Sequence, residues 1–111
     1  MLYAALEDNR RWLWNRTRKI IAAADAAWPP GLILATQWRR FDKGGVTDIK
    51  EWAKDAGNPR LVILDTLAGV RPDRNVRDNL YEHDYKALEE LHVWAGEIGI
   101  AVLILTHTRK M

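Results

Sequence analysis

The chain has 111 residues, enough for one small domain over residues 1–111 and no more. Apolar residues make up 48% and charged residues 29%, the balance of a folded domain rather than a disordered segment, and the net charge of +2 does not by itself argue for nucleic acid. The absence of cysteine excludes disulfides and thiolate metal sites, and no uncharged run is long enough for a bilayer, so the expected location is cytoplasmic, without a membrane partner.

Residues 2–6 form a short apolar run that stops at the carboxylate pair Glu7-Asp8 and reads as a buried strand. Its opening is too short for a membrane span and lacks a basic leader region. Asp8 or Asn9 can cap the helix that follows, to about Asp25. Leu13, Trp14, Ile20, Ile21 and Ala24 are expected to face inward, with arginines opposite. Trp12 and Trp14 cannot face the same way on one helix, so one of them is expected at an interface. Trp28-Pro29-Pro30-Gly31 is a loop signal.

Residues 32–36 are a second strand, and Phe41-Asp42-Lys43-Gly44-Gly45 is a turn. A short helix is expected over residues 47–55, with Ile49, Trp52 and Ala53 facing in and Gly57-Asn58-Pro59 ending it. Leu61-Val62-Ile63-Leu64-Asp65 is the clearest strand. Its four consecutive aliphatics predict a strand covered on both faces, as in a parallel sheet. A polar loop with Arg71, Arg74 and Arg77 follows. Such a loop can touch phosphates, although most loops of this kind are simply solvated. Asn79 and Glu82 have capping-box spacing for a helix to about Ile98, with Tyr81, Tyr85, Leu88, Leu91, His92, Ala95 and Ile98 inward. Gly99 ends it, and a last strand begins at Ile100 and closes at Leu105. The alternation β-α-β-α-β-α-β points to an α/β fold: a mainly parallel sheet of about four strands with flanking helices and right-handed crossovers.

In such sheets functional groups gather at the carboxyl ends of the strands. Here the first strand ends in Glu7-Asp8, the third in Asp65-Thr66 and the fourth in Thr106-His107. Each has an ordinary reading: Asp65 as a turn residue, Glu7-Asp8 as partners of a helix dipole, His107 as an exposed side chain. Together, on one rim, they outline a nucleotide-hydrolysis site: a carboxylate to activate water, a carboxylate to hold magnesium, and a polar group to sense a phosphate.

The runs Leu2-Tyr3-Ala4-Ala5-Leu6-Glu7-Asp8-Asn9, Leu61-Val62-Ile63-Leu64-Asp65-Thr66-Leu67 and Leu103-Ile104-Leu105-Thr106-His107-Thr108-Arg109-Lys110 resemble the RecA-like ATPases of plasmid and phage replication, and most nearly the RepA-like hexameric helicases. The resemblance covers essentially the whole chain and implies a RecA-like, truncated three-layer sandwich. It implies that Glu7 is the base orienting the attacking water, and that Asp65 is the Walker B carboxylate holding magnesium through water. His107 then lies near the γ-phosphate, with Arg109 and Lys110 adding positive charge. The cofactors implied for the parent family are magnesium and ATP, and its partner is DNA.

The chain departs from that pattern in one respect. None of its glycines has the Gly-x-x-x-x-Gly-Lys spacing of a phosphate loop, and Gly44-Gly45 follows Lys43 in the wrong order. Alone, the chain is therefore expected to bind no nucleotide and to be inactive. In a RecA-like sheet the phosphate-loop strand would lie beside the last strand. Residues 100–105 are then an uncharged edge, and self-association through it is expected, most simply as a two-fold dimer. The expected function is a fragment or degenerate form of a RecA-like ATPase. The alternatives are a binding or oligomerisation module on the same scaffold and, more remotely, a small enzyme using Glu7, Asp8 and Asp65 on a metal.

Overall fold

The computed structural model describes residues 1–71 and 80–107, with only the backbone for residues 80–85. The elements are β1 (Leu2–Ala5), α1 (Arg10–Ala23), β2 (Ile33–Ala35), α2 (Gly45–Asp55), β3 (Leu61–Asp65), α3 (Leu80–Ile98) and β4 (Ala101–Leu105). Single 3-10 turns occupy Phe41–Lys43 and Leu67–Gly69. The four strands form one sheet in the order β2-β1-β3-β4, and every pairing is parallel. This is the α/β architecture expected of the alternating pattern. Each parallel pair needs a crossover, and a helix fills each crossover between consecutive strands.

The register sorts the strand residues into two faces. Leu2, Val62 and Val102 stand in one row, and Tyr3, Ile63 and Leu103 in the next, on the opposite face. The first face carries the core. Leu2, Ala4, Val62 and Leu64 are fully buried there against Val46 and Ile49 of α2 and Leu91 of α3. Helix α1 contributes no residue to this cluster. It runs past the other face, where Arg16 interacts with Tyr3.

That asymmetry corrects the reading of β3. Val62 and Leu64 are buried, but Leu61, Ile63 and Asp65 are only half-buried, so one face is closed and the other partly open. On the open face Leu103 and Leu105 of β4 are 52% and 41% exposed. β4 is an edge of the sheet, as expected for residues 100–105.

Helix α1 also differs from expectation. Asn9 caps it, its Oδ1 accepting from the Trp12 amide at 2.9 Å. Yet only Leu13 is buried, Ile21 is half-buried, and Trp14, Ile20 and Ala24 are exposed. Lying over a narrow sheet, the helix has room to bury little more than one side chain. Trp14 packs instead on Trp28, with ring centroids 4.8 Å apart.

Helix α2 starts two residues earlier than the pattern predicts, because Gly44 at φ 98° reverses the chain before it. Ile49 and Ala53 face the core as expected, with Trp52 half-buried. In α3, Leu91 is buried and Leu88 and Ala95 partly so, but His92 and Ile98 are exposed. Gly99, at φ 75°, ends α3, and its amide and that of Ile100 both donate to the Ala95 carbonyl. Asn79, the side chains of Tyr81, Glu82 and Tyr85, and the loop residues Arg74 and Arg77 lie outside the described residues.

Candidate functional site

The carboxyl ends of β1, β3 and β4 share one rim, because the register aligns Ala5 with Asp65 and Asp65 with Leu105. The pairing of β1 and β3 continues one residue beyond the strand: the Leu6 amide donates to the Asp65 carbonyl at 2.6 Å. This holds Glu7 over the end of β3. There the Thr66 hydroxyl donates to Glu7 Oε1 at 3.1 Å, and His107 Nε2, two residues past β4, lies 2.8 Å from Glu7 Oε2. Both Glu7 oxygens thus have a partner, one on β3 and one beyond β4. The peptide bond between Asp65 and Thr66 is cis.

Thr66 is 1% exposed, so its hydroxyl is buried and satisfied by Glu7. The side chains of Glu7 and His107 remain 52% and 72% exposed, which leaves their other sides open to solvent or a ligand. Behind them the Tyr3 hydroxyl donates to Asp65 Oδ2 at 3.4 Å, and Arg16 Nη2 pairs with Asp8 Oδ2 at 2.5 Å.

The electrostatics follow from these contacts. The hydrogen bond from His107, and then that from Thr66, hold the Glu7 carboxyl below its ordinary value of 4.5. The same Glu7 hydrogen bond, with its negative charge, pushes His107 above 6.5. Partial burial, followed by the charge of Asp65, raises the Tyr3 phenol. At neutral pH the rim therefore presents ionised Glu7 and an imidazole biased toward its cationic form.

Of the sequence-derived site residues, the structure brings Glu7, Asp65 and His107 to the same rim, while Arg109 and Lys110 lie outside the described residues. Tyr3 and Arg16 were not singled out from sequence, and Thr66 was named only as a strand-end residue. Thr66 sits beside Asp65 and gave no signal that its hydroxyl would meet Glu7. Tyr3 reads as a strand residue, and its alternation with Leu2 was the only hint that it faces away from the core. Arg16 reads as one arginine among several on α1.

The chemistry of the donor set bears on magnesium and nucleotide. Among the described residues no three His, Asp or Glu side chains form a metal cage. One strand-end carboxylate, Asp65, beside a hydroxyl suits a magnesium ion that keeps most of its water and takes its other ligands from phosphate. Glu7, Asp8 and Asp65 make the rim acidic, so phosphate groups would need a separate cradle of backbone amides and a lysine.

A parallel α/β sheet with carboxylate, hydroxyl and imidazole groups at its carboxyl rim carries its polar groups where such sheets bind ligands. A family model described as AAA domain matches residues 1–111, and the chain belongs to that family. It is thus an ATPase-like domain, and membership implies nucleotide and magnesium binding in the parent ATPase. No curated protein and no solved structure matches the chain. Among the described residues no helix is long and apolar enough to cross a membrane.

Proposed function

We propose that this chain is the water-activating side of a RecA-like ATPase core of the DNA-replication helicase type, and that it works only with a phosphate-binding segment that its own residues do not supply. The observation that carries this reading is the convergence of Glu7, Thr66 and His107 at the end of β3, beside Asp65. Glu7 is the base that orients the attacking water: its carboxylate is about half exposed, with one oxygen held by Thr66 and the other by His107. Asp65 would hold a hydrated magnesium ion, which would supply positive charge against the phosphates. His107 contacts Glu7 and so ties the position of the base to whatever occupies the γ-phosphate site.

The test has two parts. Calorimetric titration of the isolated chain with Mg-ATP is expected to show no measurable binding, and micromolar affinity would overturn the division of labour. In an ATPase core that joins this chain to a phosphate loop, Glu7→Gln is expected to lower turnover by about 10²–10⁴-fold with nucleotide affinity little changed. Turnover equal to that of the unaltered core would remove Glu7 from the mechanism.

A second reading is favoured by the edge position of β4 and the exposure of Leu103 and Leu105. The same scaffold then acts as an association module, with two copies pairing their β4 edges.

A further inference from the structure

Helix α1 carries four arginines and a lysine and no carboxylate between Arg10 and Ala23. Its one buried side chain is Leu13. Beside it, two rows at helical spacing run along the exposed surface: Arg11, Asn15 and Lys19 in one, Trp12 and Arg16 in the other. Together they line a shallow surface cavity. Trp12 is 69% exposed in the middle of it. Trp14, two residues on, has an aromatic partner in Trp28; no ring contact is seen for Trp12 among the described residues. Arg16 is tied to Asp8, whereas Arg11 and Lys19 make no ion pair among the described residues.

We infer that this face of α1 binds single-stranded nucleic acid, with the cations on backbone phosphates and a base stacked on Trp12. The charge of the helix suits an anionic partner. An indole flanked by cations and one amide matches the combination that grips a single strand without reading its sequence: an aromatic platform beside a positive track. An anionic membrane fits less well. A helix that lies in a lipid surface gathers its apolar side chains on one face and its cations on the other. Here Trp12 is interleaved with Arg11, Asn15, Arg16 and Lys19 on the same face. The strip also reaches the candidate site, since Arg16 shares its charge with Asp8, the neighbour of Glu7. It is separate from the Arg71 loop after β3.

The test uses the 111-residue chain and a fluorescent oligodeoxythymidylate of about twelve nucleotides, a length within the span one such site covers. Anisotropy is followed between about 50 mM and about 200 mM salt. Binding is expected to weaken with salt, and Trp12→Ala to raise Kd about tenfold, with Trp12→Phe retaining most of the affinity. The double substitution Arg11→Ala with Lys19→Ala is expected to flatten the logarithmic salt slope by about 0.7 for each phosphate no longer neutralised. Lys54→Ala, on α2, is the control and is expected to change nothing. All of these side chains are exposed, and circular dichroism checks that the fold is kept. No binding at the lower salt, or a Kd within about twofold of the original in both the Trp12→Ala and the double variant, overturns the assignment. So does tighter Trp12-dependent binding to phosphatidylserine vesicles or to polyglutamate than to the oligonucleotide.

Discussion

His107 Nε2 lies 2.8 Å from Glu7 Oε2, a contact between residues one hundred positions apart in the chain. The two belong to strands that are not neighbours: β3 lies between β1 and β4. The contact therefore arches over the end of β3, and Thr66 sits beneath it, donating to the other oxygen of the same carboxylate. Three of the four strands are tied together at their carboxyl ends through one side chain. Any group that displaces Glu7 must release Thr66 or His107.

The pair has a pH window. Glu7 is held below 4.5, so its contribution is present above that value and is lost as pH falls through the lowered folded value. His107 is pushed above 6.5, so its contribution is complete below that value and is lost as pH rises through the raised folded value. Titration of the His107 ring by NMR is expected to give a midpoint above 6.5, returning toward it in Glu7→Gln. An unshifted midpoint in the unaltered chain would show that the contact is not maintained in solution.

Gly69 supports the site from behind. A Cβ added there would stand 2.8 Å from both Cβ and Cδ1 of Leu6, the residue before Glu7. Gly69→Ala is expected to push Leu6 away and to loosen the Glu7 contacts while leaving the far side of the sheet intact. The readout is the same His107 titration, which should move toward its ordinary value. Stability should fall by about 1–3 kcal/mol, as in other overpacked sites.

The closed and open faces of the sheet should respond differently to truncation. Leu64 is fully buried, and Leu64→Ala is expected to cost about 2–5 kcal/mol in chemical denaturation. Leu103, 52% exposed on the open face, should cost under about 1 kcal/mol when replaced by alanine. Equal losses at the two positions would mean that the open face is covered in solution.

If β4 pairs with a second copy, a lysine placed on it should oppose the pairing. Light scattering at micromolar concentration is expected to show a dimer for the original chain and a monomer for Leu103→Lys. A monomer in both cases removes the association reading.

The cap of α1 is a local test of the fold. Asn9→Ala removes the acceptor of the Trp12 amide and is expected to cost about 1 kcal/mol. Because α1 buries only Leu13, the loss should appear as reduced helicity of this segment before global unfolding.

Much of the architecture was legible in the residues. The unbroken aliphatic run before Asp65 marked β3 at its observed bounds, and Gly99 marked the end of α3. The strand-end positions of Glu7, Asp65 and His107 were readable because a parallel sheet sends all its carboxyl ends to one rim. Less was legible where burial depends on what lies across a face. Trp14, Ile20, Ala24, His92 and Ile98 fit helical periodicity yet are exposed. Periodicity tells which side chains share a side, not whether another layer covers them.

By itself the sequence determined the order of elements, the glycine that ends α3 and the chemical types at each strand end, because these depend on neighbours a few residues away. Only the tertiary structure decided that β3 separates β1 from β4, that Glu7 reaches His107 across it, and that Trp12 faces outward among cations. Those outcomes rest on pairings between distant segments, whose choice follows from burying one face of the whole sheet at once.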